Sequence, residues 1–174
     1  MVHSNTELLI DYWRGRLGDA RVPARSTIDP TDFPALLPVV FIAERRPSGD
    51  VLFRLAGETV AELHGGPLAG VSLLALWRHD HRRPLLAALQ ASLTDGRPLV
   101  VGAAPEGSEG RLELLFAPLS GPDGRADRFL GLYQPLAGPL AAPLKPLTLI
   151  NLAGAPVRAA TGPRLAAIDG RLIA

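Results

Sequence analysis

Apolar residues recur along the chain with two different periods, and the switches between them mark out its elements. Leu8, Leu9, Tyr12, Trp13 and Leu17 fall at the three- and four-residue intervals of one helical face. Ser4-Asn-Thr-Glu7 ahead of them reads as a capping box, and Gly18 as the stop. A connector with scattered Pro, Asp and Arg occupies 19–35, with a turn or short helix start at Ile28-Asp-Pro30. Leu36 to Glu44 is a dense apolar run that fits a strand, with Pro38 at its beginning or on an edge. Pro47-Ser-Gly-Asp50 turns the chain into Val51–Leu55, where alternation places Val51, Phe53 and Leu55 on one face and Leu52 and Arg54 on the other. These two runs form a hairpin.

The helical period then returns. Glu58 to His64 is a short helical piece closed by Gly65-Gly66-Pro67, and Leu68 to Trp77 is looped or briefly helical. A longer helix starts near Asp80 or Arg83 and runs to Thr94, with Leu85, Leu86, Leu89 and Leu93 on its apolar side. Pro84 is tolerable only near its first turn, and Asp95-Gly96 ends it. Three strands follow at Pro98–Ala103, Arg111–Leu119 and Arg128–Gln134. This order predicts an α+β domain, a five-stranded antiparallel sheet with helices on one face. Prolines 135, 139, 143 and 146 mark a semi-extended linker, after which Leu147–Leu152 and Arg164–Ala174, the latter holding Ile168-Asp-Gly170, are short apolar pieces. Pairing as an added strand and staying mobile are both open to them. The expected division is an amphipathic helix over 1–20, a domain over 21–135 and a Pro/Ala-rich extension over 136–174.

Composition narrows the classes. The chain has 174 residues, 47% of them hydrophobic and 20% charged, enough for one domain with a real core. The absence of cysteine excludes disulfides, thiolate metal sites and a cysteine nucleophile. A net charge of +1 provides no global field for nucleic acid or anionic lipid. No apolar run approaches the roughly 20 residues of a membrane span. The first residues lack the basic start and apolar stretch of a signal peptide, so a cytoplasmic protein is expected.

Catalytic patterns are thin. There is no Gly-x-Ser-x-Gly elbow, phosphate-cradling glycine loop or paired metal-binding His motif. Arg78-His-Asp-His-Arg-Arg83 is the richest polar cluster, a solvated turn or an anion contact at a helix start. His79 and His81 need a third ligand before they make a metal or haem site, and none is assigned. Trp77 beside them reads as core or interface.

Tyr12-Trp13-Arg14, Ile28-Asp-Pro30, Leu37-Pro38 with Phe41 and Glu44, and Phe53-Arg-Leu-Ala-Gly57 stand in a distinctive order. Leu68-Ala-Gly70, Asp95-Gly96 with Pro98, and Glu113-Leu-Leu-Phe-Ala-Pro-Leu119 ending in Leu130-Gly131 continue it. Over about residues 5–135 the chain resembles a bacterial PAS-related family, found mainly in alphaproteobacteria and long catalogued as a domain of unknown function. The resemblance implies a PAS-like fold and a cytoplasmic sensing or interaction role, without a catalytic residue and without a specified cofactor. On that fold a ligand cavity would be lined by Phe53, Leu55, Leu63, Leu73, Leu89 and Phe116. Arg54 either pairs with Glu113 or enters the cavity to hold a ligand carboxylate or phosphate. The N-terminal stripe packs on its own domain or forms a homodimer through Leu8, Leu9, Tyr12 and Trp13. With no kinase, cyclase or DNA-binding segment visible, output is expected to pass through an unidentified signalling protein. Two other readings stand beside this one. They are a small cone-shaped α+β enzyme with His64, His79 or Glu113 as base in an apolar pocket, and a ligand-free dimeric scaffold filled by leucines.

Overall fold

A computed structural model of the protein describes residues 2–154. The elements run α1 (Ser4–Gly15), β1 (Val40–Arg45), β2 (Val51–Ala56), α2 (Glu58–Leu63), α3 (His79–Asp95), β3 (Leu99–Pro105), β4 (Arg111–Ser120), β5 (Ala126–Ala137) and β6 (Leu147–Gly154). Short 3₁₀ turns at Arg25–Thr27, Pro30–Asp32, Pro34–Val39 and Leu73–Leu76 connect them. The strands form one antiparallel sheet in the order β2-β1-β5-β4-β3-β6. The class is the expected α+β, with six strands rather than five. The sixth comes from the extension: Leu147–Gly154 pairs with β3. Arg164–Ala174 lies outside the described residues.

The helices do not keep to one face. Phe41, Phe53, Trp77, Leu85, Leu89, Leu114, Phe116, Phe129 and Tyr133 form one core between the sheet and α2–α3. Leu9, Ile10, Trp13, Phe33, Ile42, Leu115, Leu119, Leu130 and Leu132 form a second core between the opposite face, α1 and the connector. The reason is visible in β4, where both parities are apolar: Leu112, Leu114 and Phe116 point one way, Leu115, Ala117 and Leu119 the other. A strand apolar on both faces must be covered on both.

Alpha1 is seated by polar contacts as well. Its cap is His3, whose Nδ1 accepts from the Asn5 amide at 3.1 Å, so Ser4 is the first helical residue and not the cap. The helix ends at Gly15, and Gly18 serves the following turn with φ 52°. Leu9 and Trp13 are 0% and 3% exposed, and Trp13 Nε1 donates to the Pro118 carbonyl at 2.6 Å. Pro118 lies past the last β3–β4 pair, Leu99–Phe116, where β3 no longer needs its missing N–H. Tyr12 stacks edge-on against Phe33 and hydrogen-bonds Asp32. Of the stripe read as a dimer contact, Leu8 alone stays largely exposed.

Beta1 begins at Val40, later than expected, because Pro34 and Pro38 hold the preceding residues in a 3₁₀ turn. Gly57 lies so close to that turn that a Cβ would overlap the Leu37 and Pro38 carbonyls. Gly131 is similarly constrained. It pairs with Phe41 across β1–β5 and with Phe116 across β4–β5, and the Phe41 ring lies where its side chain would stand.

Two outcomes follow. Gly131→Ala is expected to cost about 3 kcal/mol or more of unfolding free energy through overpacking. In a Phe41→Leu background its cost should shrink, and a double-mutant cycle by urea denaturation reads the coupling. Trp13→Ala should cost about 3–5 kcal/mol in the same assay, since it leaves a cavity and removes a hydrogen bond; a loss below 1 kcal/mol (about the value of a surface change) would contradict this seating of α1.

Candidate functional site

The residues expected to line one cavity fall into two places. Phe53, Leu73, Leu89 and Phe116 are buried in the α2–α3 core, with Leu63 packed against them. Leu55 and Arg54 are not there. A bulge in β2 sets Ala43 opposite Phe53 and Ile42 opposite Leu55, so Arg54 is the extra residue and the alternation slips by one. Leu55 therefore shares Ile42's side of the sheet, 52% exposed. With Arg25, Ile42, Glu44, Arg54 and Arg128 it lines a shallow outer groove.

Arg54 pairs with Glu44, Nε to Oε2 at 3.2 Å, and not with Glu113. Strands β2 and β4 are separated in the sheet by β1 and β5, so the expected pair cannot form. Glu113 is buried beneath the start of α1 instead, accepting the His3 amide at 3.0 Å. Beside it the Asn5 side-chain amide donates to Gln134 Oε1 at 2.9 Å. A carboxylate at a helix N-terminus is favoured by the exposed amides and their dipole, which explains a buried glutamate without chemistry.

The inner core is dominated by aromatic rings. Phe41 meets Phe53, Phe116 and Tyr133 edge-on at centroid distances of 5.4, 5.5 and 5.7 Å, and Phe116 meets Phe129 at 5.8 Å. Edge-to-face geometry directs the positive edge of one ring at the negative face of the next. Polar groups enter this core at two points. His64 Nε2 and Tyr133 Oη stand 3.2 Å apart, sharing one hydrogen bond. Burial lowers the His64 pKa to about 4, so the ring is neutral at pH 7, and burial raises that of the Tyr133 phenol. The indole N–H of Trp77 is fully buried and has no acceptor among the described residues. A buried donor left unpaired costs about 1–3 kcal/mol.

The chain after β5 closes over this region. Leu144 N donates to the Leu63 carbonyl at 2.7 Å, and Pro143 lies against Gly65. Trp77 bridges Leu147, Arg78 N donates to the Leu147 carbonyl at 2.9 Å, and the Leu149 amide donates to His81 Nδ1 at 2.9 Å. The Arg78–Arg83 cluster is thus a structural junction. Arg78 makes a two-pronged contact to Asp80, drawing that carboxyl's pKa down, and reaches Glu106 at 3.3 Å. Arg82 donates to the Trp77 carbonyl. Among the described residues no group of three metal-ligating side chains occurs, and no helix is long and apolar enough to cross a membrane. His64, His79 and Glu113 do not converge: His64 is in the inner core, His79 is exposed at the start of α3, and Glu113 is on the outer face.

Sequence reasoning missed Tyr133 and the unpaired Trp77 donor. The spacing Phe129-Leu-Gly-Leu-Tyr133 could have shown Tyr133 on the Phe129 face of β5. Nothing in the sequence marks which indole N–H lacks a partner.

A five-strand antiparallel core in the order 2-1-5-4-3, with short helices and a long helix over one face, defines a PAS-like α+β domain. The chain belongs to the PAS domain family, whose pattern it matches over residues 1–134. No curated protein matches the sequence. Strand β6 and the segment leading to it lie beyond the matched part.

The half-buried His64 gives a pH dependence with a definite sign. Its folded-state pKa of about 4 is below the ordinary histidine value of 6.5, so the unfolded chain takes up the proton first as pH falls. The stabilisation from keeping it neutral is complete above pH 6.5 and is lost progressively towards pH 4. After allowance for partial solvent access, wild type should lose on the order of 2 kcal/mol more than His64→Gln between neutral pH and the acid end of that window. Urea midpoints of both proteins at the two pH values measure the difference; equal losses would remove His64 from the acid response.

Proposed function

We propose that the protein is a cytoplasmic PAS-type sensory or interaction module with no chemistry of its own. It takes a small, largely apolar molecule beneath α2 and α3 and passes the change to a partner protein. The observation that carries the reading is the unpaired Trp77 donor inside a core of the PAS family fold, together with the neutral His64–Tyr133 pair. A ligand offering one uncharged acceptor would satisfy that indole without bringing a charge into an apolar site. Ligand occupancy would act on what lies over the site. The segment holding Pro143 and Leu144, and β6 joined to Trp77 and His81, would shift between two arrangements according to their differential affinity.

The test is native against denaturing mass spectrometry on freshly purified protein, with an absorption spectrum of the same sample. A small mass released on denaturation, retained by wild type and lost from Trp77→Phe, is the expected result. A bare chain in both states, with Trp77→Phe no less stable than wild type, would overturn the ligand and leave the scaffold reading.

A further inference from the structure

A second site lies outside the aromatic core and is independent of the ligand reading above. Arg21, Arg45, Gln90, Leu93, Thr94, Gly124, Arg125 and Ala126 line a cleft of about 660 Å³ between the last turn of α3, the end of β1 and the β4–β5 turn. Among the described residues three arginines and no carboxylate line it, although the chain as a whole carries a net charge of only +1. Arg21 is fixed there by donating to the Thr94 and Leu93 carbonyls at the C-terminus of α3. Arg45 has no acidic partner among the described residues. Arg125 has only Asp123, at 3.8 Å and with both side chains largely exposed, a pairing worth little in water.

We propose that this cleft binds a phosphorylated, non-aromatic small molecule of the sugar-phosphate class. Guanidinium forks from three separate segments suit phosphate oxygens better than the two oxygens of a single carboxylate. The volume lies in the range of small-molecule sites and exceeds what inorganic phosphate alone would fill. The Gln90 amide and Thr94 hydroxyl offer neutral partners for hydroxyl groups. No aromatic side chain among the described residues lines the cleft, so they offer no surface on which a nucleotide base would stack.

Isothermal titration of the full chain with fructose bisphosphate tests the assignment, with fructose, pyrophosphate and ATP as comparisons. Binding of fructose bisphosphate but not fructose is expected. Arg45→Gln with Arg125→Gln should weaken it at least about tenfold, the loss of one or more charged hydrogen bonds. The charge-matched pair Arg83→Gln with Lys145→Gln, both exposed and away from the cleft, should leave it unchanged. Arg21 is kept because it anchors the end of α3, and unchanged urea midpoints confirm that the variants are folded. No binding at millimolar fructose bisphosphate, or an equal loss in both variant pairs, would overturn the site. Pyrophosphate or ATP binding as tightly as the sugar bisphosphate would overturn the ligand class.

Discussion

The position of the Phe41 ring over Gly131 is the contact on which the inner core depends. Beta1 and β5 are central neighbours in the sheet, and this pair lies where three strands meet, since Gly131 also faces Phe116. Leaving one position without a side chain makes room for the tip of the Phe41 ring, which meets Phe53, Phe116 and Tyr133 edge-on from there. Close-packed interiors transmit such a constraint, because a ring that shifts presses on the rings it touches. The location of Tyr133, and through it the depth at which His64 finds a hydrogen-bond partner, is fixed by a glycine two residues away.

The outer face has a different logic. Apolar burial of Leu9, Ile10 and Trp13 holds α1 to the sheet, while His3, Asn5, Glu113 and Gln134 set its position along the strands. Apolar contact is non-directional and would tolerate sliding; hydrogen bonds from the first turn to two specific strand residues do not. The same helix that looks available for dimerisation in the sequence is thereby committed to its own domain. An amphipathic stripe reports that a helix has a partner surface and says nothing about which molecule supplies it.

Most elements were legible because periodicity is a local property. The hairpin itself, though its first strand starts only at Val40, the long helix stopped by Gly96 and the three strands after it all follow from apolar runs, helical spacing and glycine stops. What was not legible depends on pairing. The bulge at Arg54 is invisible in Val51-Leu-Phe-Arg-Leu55, a run that alternates without fault, yet one unpaired residue sends Leu55 to the opposite face and Arg54 to Glu44. The choice of Glu44 over Glu113 required the strand order, which no single strand encodes. Beta6 was ambiguous because a short apolar run after four prolines suits a docked strand and a loose tail equally. The continuous apolar run of β4 did carry the signal for a sheet covered on both faces, although antiparallel sheets commonly leave one face to solvent.

Helix α3 is the element that the two candidate sites share. Its first turn is tied through Arg78 and His81 to β6, next to Trp77, and its last turn is tied through Thr94 and Leu93 to Arg21 in the arginine-lined cleft. Between those ends Leu85, Leu89 and Leu93 are buried against the sheet, so the helix moves as a body or not at all. A helix of 17 residues is about 25 Å long, and both of its ends are hydrogen-bonded to neighbouring segments. On the proposed reading, a ligand that displaced α3 at its Trp77 end would also move the carbonyls of Leu93 and Thr94 that hold Arg21 at the other.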